Sequence, residues 1–223
     1  MDKISVLREL LCISSSSTEM EIQNAFGEIA ELLINHAIIR RAERSFRIEE
    51  IEFYYYNNQH RDLITYPRIT KPMQWYRNAF FGIDLTFDSY LNTQIYDGEE
   101  LFSLDDSSSF GGILIRRLSC DGAIIYKPRN CANVLFDVLD ASRAPIDFPV
   151  LTIEEQGRGL NIEKAGRTNI IKERSIDMAK KKVETILWNN FYVNESAEDW
   201  MVNEFIKFVD RPYKYYSVQK IER

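Results

Sequence analysis

The run SFRIEEIEFYYY, residues 45–56, constrains the fold more than any other stretch of the chain. In a β-strand alternate residues share a face. Phe46, Ile48, Glu50, Glu52, Tyr54 and Tyr56 then fall on one side, and Arg47, Glu49, Ile51, Phe53 and Tyr55 on the other. The side that begins with two apolar residues continues into two carboxylates and an aromatic ring, which a plain amphipathic strand does not do. Two arrangements resolve the conflict. Either a bulge near Glu49 exchanges the faces and leaves both glutamates in solvent, or Glu50 and Glu52 point into a pocket. In a pocket, desolvation and mutual repulsion raise at least one pKa and suit it to general acid–base work.

The rest of the chain reads as one mixed α+β domain over residues 1–223, with 1–17 as an N-terminal helix and linker and 18–223 as the core. A short helix over 4–12 precedes the Ser14–Ser17 linker, and Thr18 with Glu21 forms a capping box. Ile22, Phe26, Ile29, Ala30, Leu33 and Ala37 recur at helical spacing, which predicts an amphipathic helix over 19–39 with Arg40, Arg41 and Arg44 as a basic turn. Residues 57–79 read as a long loop holding His60, Trp75 and Tyr76, a length that favours function. Ile83, Leu85 and Phe87 alternate with Asp84, Thr86 and Asp88 in a half-buried strand. Residues 92–109 form an acidic, Ser-rich excursion, 112–118 a central strand and 123–126 a short one. Pro128 opens a helix near 130–140, and strands follow at 148–153 and 167–172. Helices capped by Ser175 and Ser196 run to about 190 and 209, and Tyr213–Val218 closes the chain as a strand.

Composition narrows the partners. With 45% hydrophobic and 13% aromatic residues the chain is built to fold, and 28 basic against 34 acidic residues exclude a uniformly basic coat. A local basic face remains open. Its candidates are Arg40, Arg41 and Arg44 and the helical run Lys180, Lys181 and Lys182, which otherwise reads as a solvated face. Cys12, Cys120 and Cys131 form no CxxC pair, and with two histidines no zinc site assembles at familiar spacing. Neither metal nor cofactor is expected. Free thiols and the lack of any membrane-length apolar run point to the cytoplasm.

Several side chains join the glutamates as candidates. His60, beside Arg61 and Asp62, would orient a water or contact a phosphate if it lies near the carboxylates. Arg116 and Arg117 follow an apolar strand segment, so one faces inward and wants a carboxylate or phosphate partner. Tyr54, Trp75, Tyr76, Phe80 and Phe81 offer rings on which a base could stack, and Asp84 stands on the polar side of its strand as a further substrate contact.

From about residue 25 onward the order of segments resembles the alkyladenine (3-methyladenine) DNA glycosylase family. EIAELLINHAIIRR followed by FRIEEIEFYYY looks like that family's entry into its catalytic strand, and GGILIRRL looks like its later LIR strand. IIYKPRNCANVLFDVL, RTNII and RPYKYYSV are similar to its remaining helix entry and closing strands. A closer resemblance is to a branch carrying E-x-E-x-Y and GGILIR. The resemblance implies a curved, mostly antiparallel sheet surrounded by helices. It implies hydrolysis of an N-glycosidic bond, releasing a modified base from DNA or, alternatively, acting on free nucleotides or RNA; a non-catalytic module that binds a modified nucleotide or a protein is the third possibility. It places Glu52 at the carboxylate that activates water, Tyr54 at the stacking ring, His60 near a pocket histidine and Arg116 beside the extruded nucleotide. Two features depart from the family: WYRNAFFGIDLTFDSY shows no clear wedge tyrosine or pocket asparagine, and the chain is acidic.

Overall fold

The computed structural model describes residues 2–78, 82–96, 99–136, 148–168, 175–191 and 196–218. Helices α1 (Lys3–Leu10) and α2 (Glu19–Glu31) lead into strands β1 (Ala37–Arg41), β2 (Arg44–Asn57) and β3 (His60–Arg61). Strands β4 (Trp75–Asn78), β5 (Gly82–Thr86), β6 (Asn92–Tyr96), β7 (Glu99–Ser103), β8 (Phe110–Cys120) and β9 (Ala123–Tyr126) follow. The chain then forms α3 (Pro128–Leu135), β10 (Val150–Ile153), β11 (Asn161–Ala165), α4 (Ile176–Phe191), α5 (Asp199–Val209) and β12 (Lys214–Val218). Among the described residues ten strands make one antiparallel sheet with the central order β10-β1-β2-β8-β5-β4, and β6 and β7 form a separate hairpin. The fold is therefore α+β, as its segment pattern indicates.

The spine of the sheet is the β2–β8 pair, which runs from Arg47 opposite Ser119 to Tyr56 opposite Phe110. Its register shifts twice around Glu50. Glu49 is the extra residue on β2, and Arg116 the extra residue on β8. Two opposed bulges carry the strand across the change of face. Phe46 and Ile48 before them, and Ile51, Phe53 and Tyr55 after them, all enter the same apolar core. The bulged alternative therefore holds, but without its solvent-exposed glutamates: Glu52 is 0% exposed.

Helices α1, α2 and α3 contribute to that core. Phe26 of α2 stacks on Phe53 at 4.2 Å, and Ile22, Phe26 and Ile29 are completely buried. Each such side chain contributes about 1.5–3 kcal/mol of burial energy. A second apolar cluster gathers on Tyr56 and Phe110, against Val183 of α4 and Val202 and Phe205 of α5. Tyr56 alternates with Tyr55, so this cluster lies on the opposite sheet face, at the far end of β2.

The capping box forms as expected, with the Glu21 carboxylate accepting from Thr18 N–H at 2.8 Å. The helix it starts ends sooner than its periodicity suggests. A wide π-type turn over Leu32–His36 leads directly into β1, which pairs with β2 on one side and β10 on the other. Two ladders outweigh continued helix here, and Arg158 Nε donates to the released Ile34 carbonyl at 3.1 Å. The stretch read as a loop over 57–79 contains β3 and β4, and the acidic excursion contains the β6–β7 hairpin. Strand β11 covers Asn161–Ala165, and of the strand expected at 167–172, residues 169–172 lie outside the described residues. The tail of the helix expected near 130–140, beyond residue 136, also lies outside them. Ser175 accepts from Met178 N–H at 3.4 Å, whereas Glu198, not Ser196, occupies the N-cap of α5. No described helix is long and apolar enough to cross a membrane.

Candidate functional site

With β2's core residues turned one way, Glu52, Tyr54 and the arginine bulge of β8 share the other sheet face. Glu52 sits there without solvent contact, and its carboxylate is held by three donors. The Tyr54 hydroxyl donates to Oε2 at 2.9 Å and Arg116 Nη1 to the same oxygen at 3.0 Å. Thr168 N–H donates to Oε1 at 2.7 Å. With two lone pairs on each oxygen, the donors among the described residues leave one acceptor position, on Oε1. Burial, followed by the charge of Glu52, pushes the Tyr54 hydroxyl well above the usual phenol range, so it remains a donor.

Thr168 is positioned by its neighbour. Arg167 is fully buried and grips Asp62 with Nη1 at 2.6 Å and Nη2 at 3.2 Å. Its guanidinium lies 4.8 Å over the Tyr54 ring, and Nη2 also donates to the Phe208 carbonyl at 2.9 Å. Burial opposes that charge, but Asp62, Tyr54 and Glu52 outweigh it and hold the Arg167 pKa above its usual value. One buried ion pair thus braces both the stacking ring and the backbone donor of the carboxylate.

Sheet register extends the polar row. Lys214, Glu52, Leu114, Asp84 and Tyr76 stand opposite one another across β12, β2, β8, β5 and β4. Asp84 lies two strands from Glu52, about 10 Å at the usual strand spacing. It makes a buried ion pair with Arg68, whose guanidinium stacks 4.6 Å from the Tyr76 ring. Burial raises the Asp84 pKa, and Arg68 opposes that rise. The two glycines of GGILIR make room for these groups. A Cβ on Gly112 would meet Arg68 Nη1 at 2.9 Å, and one on Gly111 would meet the Tyr54 carbonyl at 2.3 Å. Glu50 lies between the bulge arginines, 3.3 Å from Arg116 Nε and 3.7 Å from Arg117 Nη1.

Glu50, Glu52, Tyr54, Tyr76, Asp84 and Arg116 are therefore on one sheet face. The remaining candidates are elsewhere. His60 is fully buried in the aromatic core, with ring centroids of Phe208 at 4.6 Å and Tyr213 at 5.4 Å, and neither ring nitrogen has a hydrogen-bond partner among the described residues. Burial pulls its pKa down to about 3, so it stays neutral and away from the carboxylates. Trp75, next to Tyr76, packs toward the core and donates from Nε1 to the Pro149 carbonyl at 2.9 Å. Phe80 and Phe81 lie outside the described residues. Arg40, Arg41 and Arg44 flank the β1–β2 turn, Arg41 donating to the Val134 carbonyl at 2.7 Å and Arg44 lying 4.8 Å over Phe46. Lys180, Lys181 and Lys182 ride on α4, which packs at the Tyr56 end of β2. The two basic groups are thus separated by the length of that strand, on the order of 40 Å. They do not form one continuous face.

The bulge also creates a feature invisible in the sequence pattern. Glu49 accepts from Ser119, Ser217 and Arg158, each at 2.6 Å. Burial alone would raise its pKa, but these donors outweigh it and hold the carboxyl below its usual value. It lines a cavity of about 560 Å³ together with Ser45, Arg47, Arg117, Arg158 and Tyr126. Asp62, Arg68, Arg167 and the Thr168 N–H likewise had no periodic signal to mark them. Among the described residues no group of three or more His, Cys, Asp or Glu side chains is arranged to hold a metal ion. The chain matches no protein-family model, no curated protein and no solved structure.

Proposed function

We propose that this protein hydrolyses an N-glycosidic bond, releasing a modified base from a nucleotide with Glu52 as the general base. The observation that carries this reading is the fully buried Glu52 carboxylate, fixed by Tyr54, Arg116 and Thr168 with one acceptor position open on Oε1. A water bound there would give its proton to Glu52 as its oxygen attacks the sugar C1′. The C1′–N bond breaks, and the departing base takes the bonding electron pair and finally a proton. The carboxylate also offsets positive charge on the oxocarbenium-like sugar. Tyr54 and Tyr76 supply aromatic surface on the same face. Arg116, drawn to a substrate phosphate, would release one hydrogen bond from Glu52.

The site's surroundings favour a flipped or single-stranded nucleotide over a wrapped duplex. The two basic clusters stand at opposite ends of β2, so a continuous electrostatic track of the kind duplex binding uses is not formed by them. The test is to incubate the protein with single strands, duplexes and free nucleotides carrying alkylated or deaminated bases. Released base is measured by liquid chromatography with mass detection. Release from at least one class is expected; no release from any overturns the chemistry.

A further inference from the structure

The cavity beside Glu49 adjoins the proposed reaction centre. Cross-strand register places Tyr126 of β9 opposite Arg117, and Arg117 opposite Glu50. Glu50 is the partner that Arg117 shares with Arg116, which in turn holds Glu52. From Glu52 to Glu49 the strand spans three residues, about 10 Å at most. The two places therefore lie side by side on one sheet face.

The cavity lining combines apolar and charged groups. Tyr126 is 59% exposed and Ile124 43% exposed, so the lining presents an aromatic ring and an aliphatic side chain to solvent. Beside them stand Arg47, Arg117 and Arg158, paired with Glu154, Glu50 and Glu49 respectively. Glu49 is already committed to Arg158 and two serines. Arg117 spends Nη2 on the carbonyls of Glu49 and Ser217 and pairs Nη1 with Glu50 at 3.7 Å, whereas Nε makes no hydrogen bond among the described residues. An exposed aromatic ring beside a guanidinium whose Nε is free to donate suits a stacked base next to a phosphate. A volume near 560 Å³ is in the range of small-ligand sites.

We infer that this cavity is a subsite for the nucleotide adjacent to the reacting one, with Tyr126 stacking its base and Arg117 holding the phosphate between them. The inference rests on the proposed reaction and sharpens it: the substrate is a single strand, not a free nucleotide. Binding is measured at low salt by calorimetry with the Glu52→Gln protein, which holds its target without turnover. The probes are deoxyinosine monophosphate and a short single strand with one central deoxyinosine. The strand is expected to bind at least ten-fold more tightly than the monophosphate. Tyr126→Ala should lose about ten-fold in strand affinity, the usual order for one stacking ring, and Tyr126→Phe should restore it. Ser45→Glu, at an exposed position lining the same cavity, should weaken the strand by repulsion. Equal affinity for the two probes, or strand affinity untouched by Tyr126→Ala, overturns the subsite and leaves the glycosidase reading standing. Failure of the wild-type and Glu52→Gln proteins to bind either probe overturns both.

Discussion

Removing Arg167 should unfold much of what surrounds Glu52, because its pairing with Asp62 is completely dry. Both side chains are 0% exposed, and the fork is bidentate at 2.6 and 3.2 Å. Arg167→Met leaves the Asp62 carboxylate uncompensated in the interior, a change that costs about 3–5 kcal/mol. It also strands the Phe208 carbonyl, which Arg167 Nη2 reaches at 2.9 Å, for about 1 kcal/mol more. Asp62→Asn leaves the buried guanidinium without its counter-charge and should cost a similar amount. The double variant buries neither charge, so its loss should fall short of the sum of the singles by about 2–3 kcal/mol. Urea unfolding at equilibrium, followed by tyrosine and tryptophan fluorescence, gives all four stabilities. Additivity within about 0.5 kcal/mol would refute the reasoning, because it would mean the two charges do not feel each other. Base release by the variants that remain folded reports separately on the Thr168 donor that this pair positions.

His60 should make stability depend on pH. Its folded pKa lies near 3, below the ordinary value of 6.5, so the unfolded chain binds a proton that the folded chain refuses. The stabilising contribution is complete above pH 6.5 and is lost as pH falls toward 3. Between pH 6.5 and 5 wild type should lose about 2 kcal/mol more than His60→Leu, measured by urea titration; parallel pH profiles would rule this out. Two glycine substitutions should differ in sign. Gly111→Ala drives a Cβ to 2.3 Å from the Tyr54 carbonyl and should cost more than about 2 kcal/mol. Gly27→Ala, with nothing within 4 Å in mid-helix, should gain about 0.5–1 kcal/mol. Thermal melts decide both, and an equal effect at the two sites would contradict the packing described.

What could be read before folding was local. The Thr18–Glu21 capping box, the apolar stripe of α2 and the β5 strand each lie within a few residues of chain and each formed, although β5 is buried on both faces, Asp84 and Thr86 included, instead of half-buried. The conflict inside EEIEFY was also visible, and its resolution by a bulge was one of two readings. The place of that bulge, near Glu49, was legible as well; the matching bulge at Arg116 in the partner strand was not. Ala37 kept helical spacing by coincidence, and Ala37–Arg41 became a strand because two neighbours offered ladders. Proximity along the chain misled the reading of His60, whose surroundings are made by Phe26, Phe208 and Tyr213 from distant segments. Asp62 and Arg167 lie 105 positions apart, so no periodicity could join them. That Glu52, Tyr54 and Arg116 share one sheet face was legible because a strand's two-residue repeat and a charged pair after an apolar run are short-range signals.

The most direct measurement compares Glu52→Gln with Glu50→Gln in single-turnover base release from a substrate that wild type cleaves. Glutamine keeps the shape and most of the hydrogen bonds at either position but cannot take a proton from water. Glu52→Gln should slow release by about 10²–10⁴-fold, with substrate affinity retained. Glu50→Gln, whose partners are the bulge arginines, should fall only a few-fold. Release by Glu52→Gln at the wild-type rate would contradict Glu52 as the base.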